Sequence, residues 1–103
     1  MSQALVKNKD FILSLLRGRN NIKKKKFLTN ASSDQLKGLA EIFYNIGNLP
    51  LKKSKKKRLL RYKLLLKDFV NEPLNRQDFV KRHYRIILKI LRLIKEYLYI
   101  ILQ

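Results

Sequence analysis

Apolar residues along this chain recur mainly at three- and four-residue spacings, the period of helices with one buried face. From Gln3 to Arg17 the apolar positions Leu5, Phe11, Ile12, Leu15 and Leu16 predict a first helix, with Gly18 as its stop. A basic, turn-like stretch follows at Asn20–Asn21, and Ile22 with Phe27–Leu28 anchors a short second helix. Ser32-Ser33-Asp34-Gln35 matches the capping box S-x-x-Q, in which the serine hydroxyl and the glutamine side chain satisfy opposite backbone N–H groups. Leu36, Leu39, Ala40, Phe43 and Ile46 then share one helical stripe, and Gly47 is expected in the left-handed conformation that ends such a helix. Pro50 disfavours helix at Leu49 and marks a turn.

The second half reads as two long helices. One runs from about Lys52 to Val70, basic at first and leucine-rich later (Leu59, Leu60, Leu64, Leu65, Leu66), and Glu72-Pro73 closes it. The other starts at the cap-like Asn75-Arg76-Gln77-Asp78 and runs to near the C-terminus. Its polar positions Arg85, Lys89, Arg92 and Glu96 form one narrow stripe, and nearly everything else from Ile86 to Leu102 is apolar. The pattern predicts an all-α fold, a compact bundle of four to five helices with a long apolar C-terminal helix, in one domain over 1–103. Its expected core includes Leu36, Leu39, Phe43, Leu59, Leu66, Phe79, Ile86 and Ile90. So wide an apolar surface on the last helix must be covered by the rest of the domain, by a second subunit or by lipid, and self-association through Ile87, Ile90, Leu91, Ile94, Leu98 and Ile101 is the favoured expectation.

Composition narrows the chemistry. Cysteine is absent, which removes disulfides, thiolate metal sites and a cysteine nucleophile. His83 is the sole histidine, and the seven acids are scattered singly, so neither a metal site nor a cofactor is expected. Asp10, Asp34, Asp68 and Asp78 read as helix-end residues. No Walker loop and no dinucleotide-binding glycine pattern is present, and a non-enzymatic role without a small-molecule substrate is expected. Lys7, Lys9 and Asp10 interrupt any signal-peptide core, and no stretch offers 18 uncharged apolar residues.

Charge is what changes the picture. The chain carries 25 Lys and Arg against seven Asp and Glu, a net charge of +18. Self-repulsion on that scale destabilises a small globule unless a polyanion is usually at hand, and nucleic acid is the commonest. The charge is also clustered. Arg17, Arg19, Lys23, Lys24, Lys25 and Lys26 form one group; Lys52, Lys53, Lys55, Lys56, Lys57, Arg58, Arg61 and Lys63, continued by Lys67, form another. No carboxylate interrupts either run, whereas a solvated surface helix intersperses acids for i,i+4 pairs. The second run begins at a helix N-terminus, where cations are disfavoured until a phosphate arrives to meet both lysines and free N–H groups.

These two runs are the candidate phosphate-contacting residues. Lysine outnumbers arginine 17 to 8, and lysine acts as a point charge without the bidentate fork that reads guanine. Phe27 and Tyr62 are the only aromatics in or beside the runs, too few for a single-strand stacking platform, and Phe27 is expected in the core. Backbone binding to duplex DNA with little sequence preference is the favoured reading. Lys52 to Arg58, KKSKKKR, also matches a nuclear-localisation signal, consistent with an intracellular, nuclear or virion setting.

Ala40-Glu41-Ile42-Phe43-Tyr44-Asn45, then Gly47-Asn48-Leu49-Pro50-Leu51, then the Lys/Arg-rich stretch through Tyr62-Lys63 resemble the small basic proteins of Polinton/Maverick-type elements and adintoviruses. The resemblance covers roughly residues 11–88. It departs in the connection to Gly47 and in the Ile/Leu-rich C-terminal helix, where that group carries a Gly-rich tail. It implies a viral or mobile-element context in which a small basic protein condenses or packages double-stranded DNA. Two other readings stand beside it. One is a helical interaction module whose charge serves localisation; the other is a basic protein active at an anionic membrane surface.

Overall fold

The computed structural model describes residues 3–102, and all regular structure among them is helical. Its α-helices are α1 (Gln3–Lys7), α2 (Lys9–Leu16), α3 (Asn21–Thr29), α4 (Ser33–Tyr44), α5 (Lys53–Leu60), α6 (Lys63–Asn71), α7 (Arg76–Leu93) and α8 (Lys95–Leu102). Short 3-10 turns occupy Ile46–Asn48 and Pro73–Asn75. The all-α class is as expected, but the number of helices is not. Three helices read as continuous in the sequence are each broken, because a straight rod cannot wrap its apolar stripe around a core this small. The Cα radius of gyration, 12.5 Å, matches the ~13 Å of a folded chain of about 100 residues.

Each break has a local cause or consequence. At the α1–α2 junction, Asn8 is buried, and its amide donates to the Ala4 carbonyl (2.8 Å) and to the carbonyl (3.0 Å) and carboxylate (3.2 Å) of Asp34. The junction lets α1 lie across α4, where Gly38 permits close approach: a methyl there would meet the Ala4 carbonyl oxygen at 3.1 Å. The α5–α6 break at Arg61–Tyr62 separates a lysine-rich half, of which only Leu59 is buried, from a half that seats Leu66 and Phe69 against α4.

The last helix is not one long apolar rod. Ile94 leaves helical geometry (φ −108°, ψ 9°), which ends α7 and redirects α8 onto α2, and His83 kinks α7 from within. The wide apolar surface from Ile86 onward is covered by α2, α3 and α4 of the same chain. Cover by the rest of the chain, one of the alternatives the pattern left open, is the one seen in this fold.

One connected core results. Leu36, Leu39, Phe43, Leu59, Leu66 and Ile90 lie in it as expected, while Phe79 and Ile86 sit half-buried at its edge. Phe43, Phe69, Phe79 and His83 form a chain of tilted ring contacts at 5.5, 5.2 and 4.8 Å. The capping box is present: the Ser32 hydroxyl accepts from the Gln35 N–H at 3.1 Å, and the Gln35 side chain accepts from the Ser32 N–H at 3.0 Å. Gly47 does not adopt the left-handed conformation. It lies in the 3-10 turn, and Asn45 closes α4 by donating from its amide to the Glu41 carbonyl at 2.9 Å. Among the described residues, positive φ occurs at Gly18 (76°) alone.

Candidate nucleic-acid interface

The first basic run folds into a turn and a helix held against the C-terminal half of the chain. Arg17 leaves α2 with extended backbone, Gly18 follows in the left-handed region at φ 76°, and Arg19 lies in the short connection to α3. Nothing lies within 4 Å of where a Gly18 side chain would begin, so it is backbone conformation, not space, that requires glycine there. Asn20 caps α3 by accepting from the N–H groups of Ile22 (3.1 Å) and Lys23 (3.2 Å). On α3 only Leu28 is buried; Lys23, Lys25 and Lys26 are exposed and Lys24 is half-buried. Phe27 is 45% exposed, against the expectation of a core role, because Leu28 takes the inward position next to it.

Helix α3 packs on α7, and this brings the first run against the narrow polar stripe of the C-terminal helices. Two adjoining hollows form along the seam. The first is lined by Arg19, Lys24, Arg92 and Lys95 over Leu15, Leu16, Gly18 and Leu88. The second is lined by Lys25, Arg85, Lys89 and Arg92, with Asn21, Ile22, Tyr84 and Leu88. No Asp or Glu among the described residues lines either one. The result is a basic strip along α3, α7 and α8.

Several of its cations are held in place. Tyr84 carries the Lys25 ammonium 4.7 Å above its ring and accepts a hydrogen bond from Arg85 Nε at 3.2 Å. That hydrogen bond, then the nearby charges of Arg85 and Lys25, stabilises the phenolate and lowers the Tyr84 pKa. Lys95 rests over the Tyr99 ring at 5.7 Å. The Lys24 pKa is lowered by burial first and by repulsion from Lys95 and Arg92 second. The ion pairs among the described residues, Lys7–Asp34 (3.5 Å) and Arg82–Asp78 (2.8 Å), both lie outside the strip.

Comparison with protein-family models, with curated proteins and with solved structures returned no match.

The second basic run is organised differently. Lys52, Lys53, Lys56, Lys57 and Arg58 are exposed on and before α5, with Lys55 half-buried. Lys52 occupies the N-cap without a side-chain hydrogen bond, which leaves first-turn N–H groups open beside the lysines. Arg61 and Lys63 are exposed around the break, where Leu60 and Leu64 are also 64% and 76% exposed. Lys63 and Lys67 border a separate groove with Phe43, Tyr44, Ile46, Leu66, Val70 and Asn71. The two runs thus ride on different supports: α3 on α2 and α7, α6 on α4. Arg76 is not part of either surface. Its Nε and Nη2 donate to the Phe69 (2.9 Å) and Val70 (2.8 Å) carbonyls and close the end of α6; burial lowers its pKa.

The residues expected to form an oligomer surface are largely interior in this fold. Ile87, Ile90, Leu91, Ile94 and Leu98 are at most 1% exposed and Ile101 is half-buried, all packed in the chain's own core. Conversely, the sequence reading left Arg85, Lys89, Arg92 and Lys95 out of the candidate interface. The i,i+4,i+7 stripe was the available signal, but it identifies the solvent side of a helix and not the neighbour that joins it. Among the described residues no group of three or more His, Asp or Glu side chains could hold a metal, and no helix is long and apolar enough to cross a membrane.

Proposed function

We propose that this protein binds nucleic acid through its phosphates, without catalysis and with little base preference, duplex DNA being the favoured form. The observation that carries this reading is the seam where cations of α3 meet those of α7 and α8 around two hollows that no Asp or Glu among the described residues lines, Glu96 of the same stripe included. Within α7, from Arg85 to Arg92, the strip runs about 10 Å at 1.5 Å per helical residue. The exposed lysines of α5 add a second contact zone that can engage the same polyanion. The lysine-rich make-up favours charge neutralisation over base reading. The resemblance to the small basic proteins of Polinton/Maverick elements and adintoviruses adds a setting, packaging or condensation of double-stranded DNA, with a nuclear or virion location.

One observation favours a second reading. Leu60 and Leu64 project into solvent amid Lys56, Lys57, Arg61 and Lys63, the arrangement of a segment that lies on an anionic membrane. Titration with duplex DNA, duplex RNA and anionic vesicles at two salt concentrations separates the readings. Duplex DNA is expected to bind most tightly, with log K falling against log[salt] at a slope of about −5 if about six phosphates are neutralised. A flat salt response, or tighter binding to vesicles than to DNA, overturns the proposal.

A further inference from the structure

The hollow at the Gly18 end of the strip differs from the rest of the surface. Arg19 comes from the turn after α2, Lys24 from α3, Arg92 from α7 and Lys95 from α8, so four separate elements aim cations at one space of about 380 Å³. Its floor is apolar: Leu15, Leu16 and Leu88 are all buried. An apolar floor lowers the local dielectric and strengthens both the repulsion among these cations and their attraction for an anion. A phosphodiester carries one negative charge and lies along an open track. A terminal phosphate carries about −1.5 to −2 near neutral pH, and a free oligophosphate carries more. The hollow is at the small end of ligand sites, about 300–1,000 Å³, which suits a few heavy atoms and not a length of chain.

We propose that the hollow formed by Arg19, Lys24, Arg92 and Lys95 is a specific site for a compact, multiply charged phosphate group, supplied by a nucleic-acid end or by a free oligophosphate. Two guanidinium forks from different elements can each take a pair of oxygens, and the two ammonium groups neutralise the remaining charge. Burial first, and repulsion from Lys95 and Arg92 second, lower the Lys24 pKa. Because the cations oppose one another in the free protein, the site stabilises the fold only when filled. In its nucleic-acid form the inference rests on the proposed function; in its oligophosphate form it does not.

Inorganic pyrophosphate is the first probe, with calorimetric titration and thermal melting of the whole chain at two salt concentrations. Saturable one-to-one binding with a rise in melting temperature is expected. The double variant Lys24→Gln, Arg92→Gln is expected to weaken it at least tenfold while melting no lower than the wild type. The variant Lys56→Gln, Lys57→Gln, Arg58→Gln, on α5, is expected to leave pyrophosphate affinity within twofold. Equal weakening in both variants shows a diffuse charge effect and overturns the site, as does the lack of saturable binding. A matched pair of duplexes with 5′-phosphate or 5′-hydroxyl ends then tells the source. A preference of fivefold or more for the phosphorylated end, lost with Lys24→Gln, Arg92→Gln, assigns the site to strand ends. Pyrophosphate binding without that preference assigns it to free oligophosphate and supports the site even if duplex binding proves absent.

Discussion

The α3–α7 strip and the α5–α6 arm carry similar charge on opposite physical principles. On α3 the lysines are backed by a second helix whose own cations face the same seam, and Tyr84 holds Lys25 and Arg85 in place. On α5 the lysines stand on a helix with a single buried side chain, Leu59, and open N-terminal N–H groups. The strip is preorganised and repels itself; the arm spreads its charge into solvent, where salt screens it. A polyanion should gain more per cation from the strip, because less side-chain order is lost on binding.

Exchanging charge for amide in each region gives the largest effect. Lys25→Gln, Arg85→Gln, Lys89→Gln and Arg92→Gln together should flatten the log–log salt slope for duplex DNA by about 3 to 4, close to one per phosphate contact. Lys55→Gln, Lys56→Gln, Lys57→Gln and Arg58→Gln should weaken binding to all duplex sequences alike and flatten the slope by about 2, with the fold intact. Filter-binding or fluorescence titrations over a salt series read both. A larger loss from the arm than from the strip reverses the comparison.

Next in size is the anchor of the arm. Arg76→Ala removes two charge-assisted hydrogen bonds to the end of α6. It should cost about 2 kcal/mol in urea unfolding, with no more than a twofold change in DNA affinity. A tenfold affinity loss would place Arg76 in the interface. The strip has its own anchor. Gly18→Ala forces a side chain into left-handed geometry at φ 76° and should cost about 1 kcal/mol. If it leaves stability unchanged, the turn is not what holds Arg19 beside Lys24.

The smallest effect is on pH dependence and sharpens the contrast between a part-buried, crowded cation and a solvated one. The Lys24 pKa is lower in the folded protein than its ordinary value of 10.5. Between the two values the unfolded chain binds more protons than the folded one, so stability contributed by this group rises with pH through that window. Below the folded pKa the penalty is constant. Lys24→Gln should remove this rise, so the difference between wild-type and variant stability should narrow as pH climbs toward 10.5. A difference that stays constant over that window would remove Lys24 from the crowded group.

Much of this was legible in the chain itself. The capping box at Ser32 and Gln35, the stop at Gly18, the core positions of α4 and the two carboxylate-free runs all follow from local pattern, because capping, turn conformation and charge density are properties of neighbours in sequence. The apolar excess from Ile86 to Leu102 was equally plain, but its meaning was not. A one-dimensional pattern shows that a surface must be covered and leaves open what covers it. Breaks at Asn8, Arg61–Tyr62 and Ile94 depend on how short segments fit around one core, and they turned an expected partner surface into interior. The union of Arg19 and Lys24 with Arg92 and Lys95 was likewise decided only in three dimensions. Sequence sets how much positive charge there is and where along the chain it lies. Packing decides which charges from distant segments converge, because a field at one point is the sum over whatever the fold brings near it.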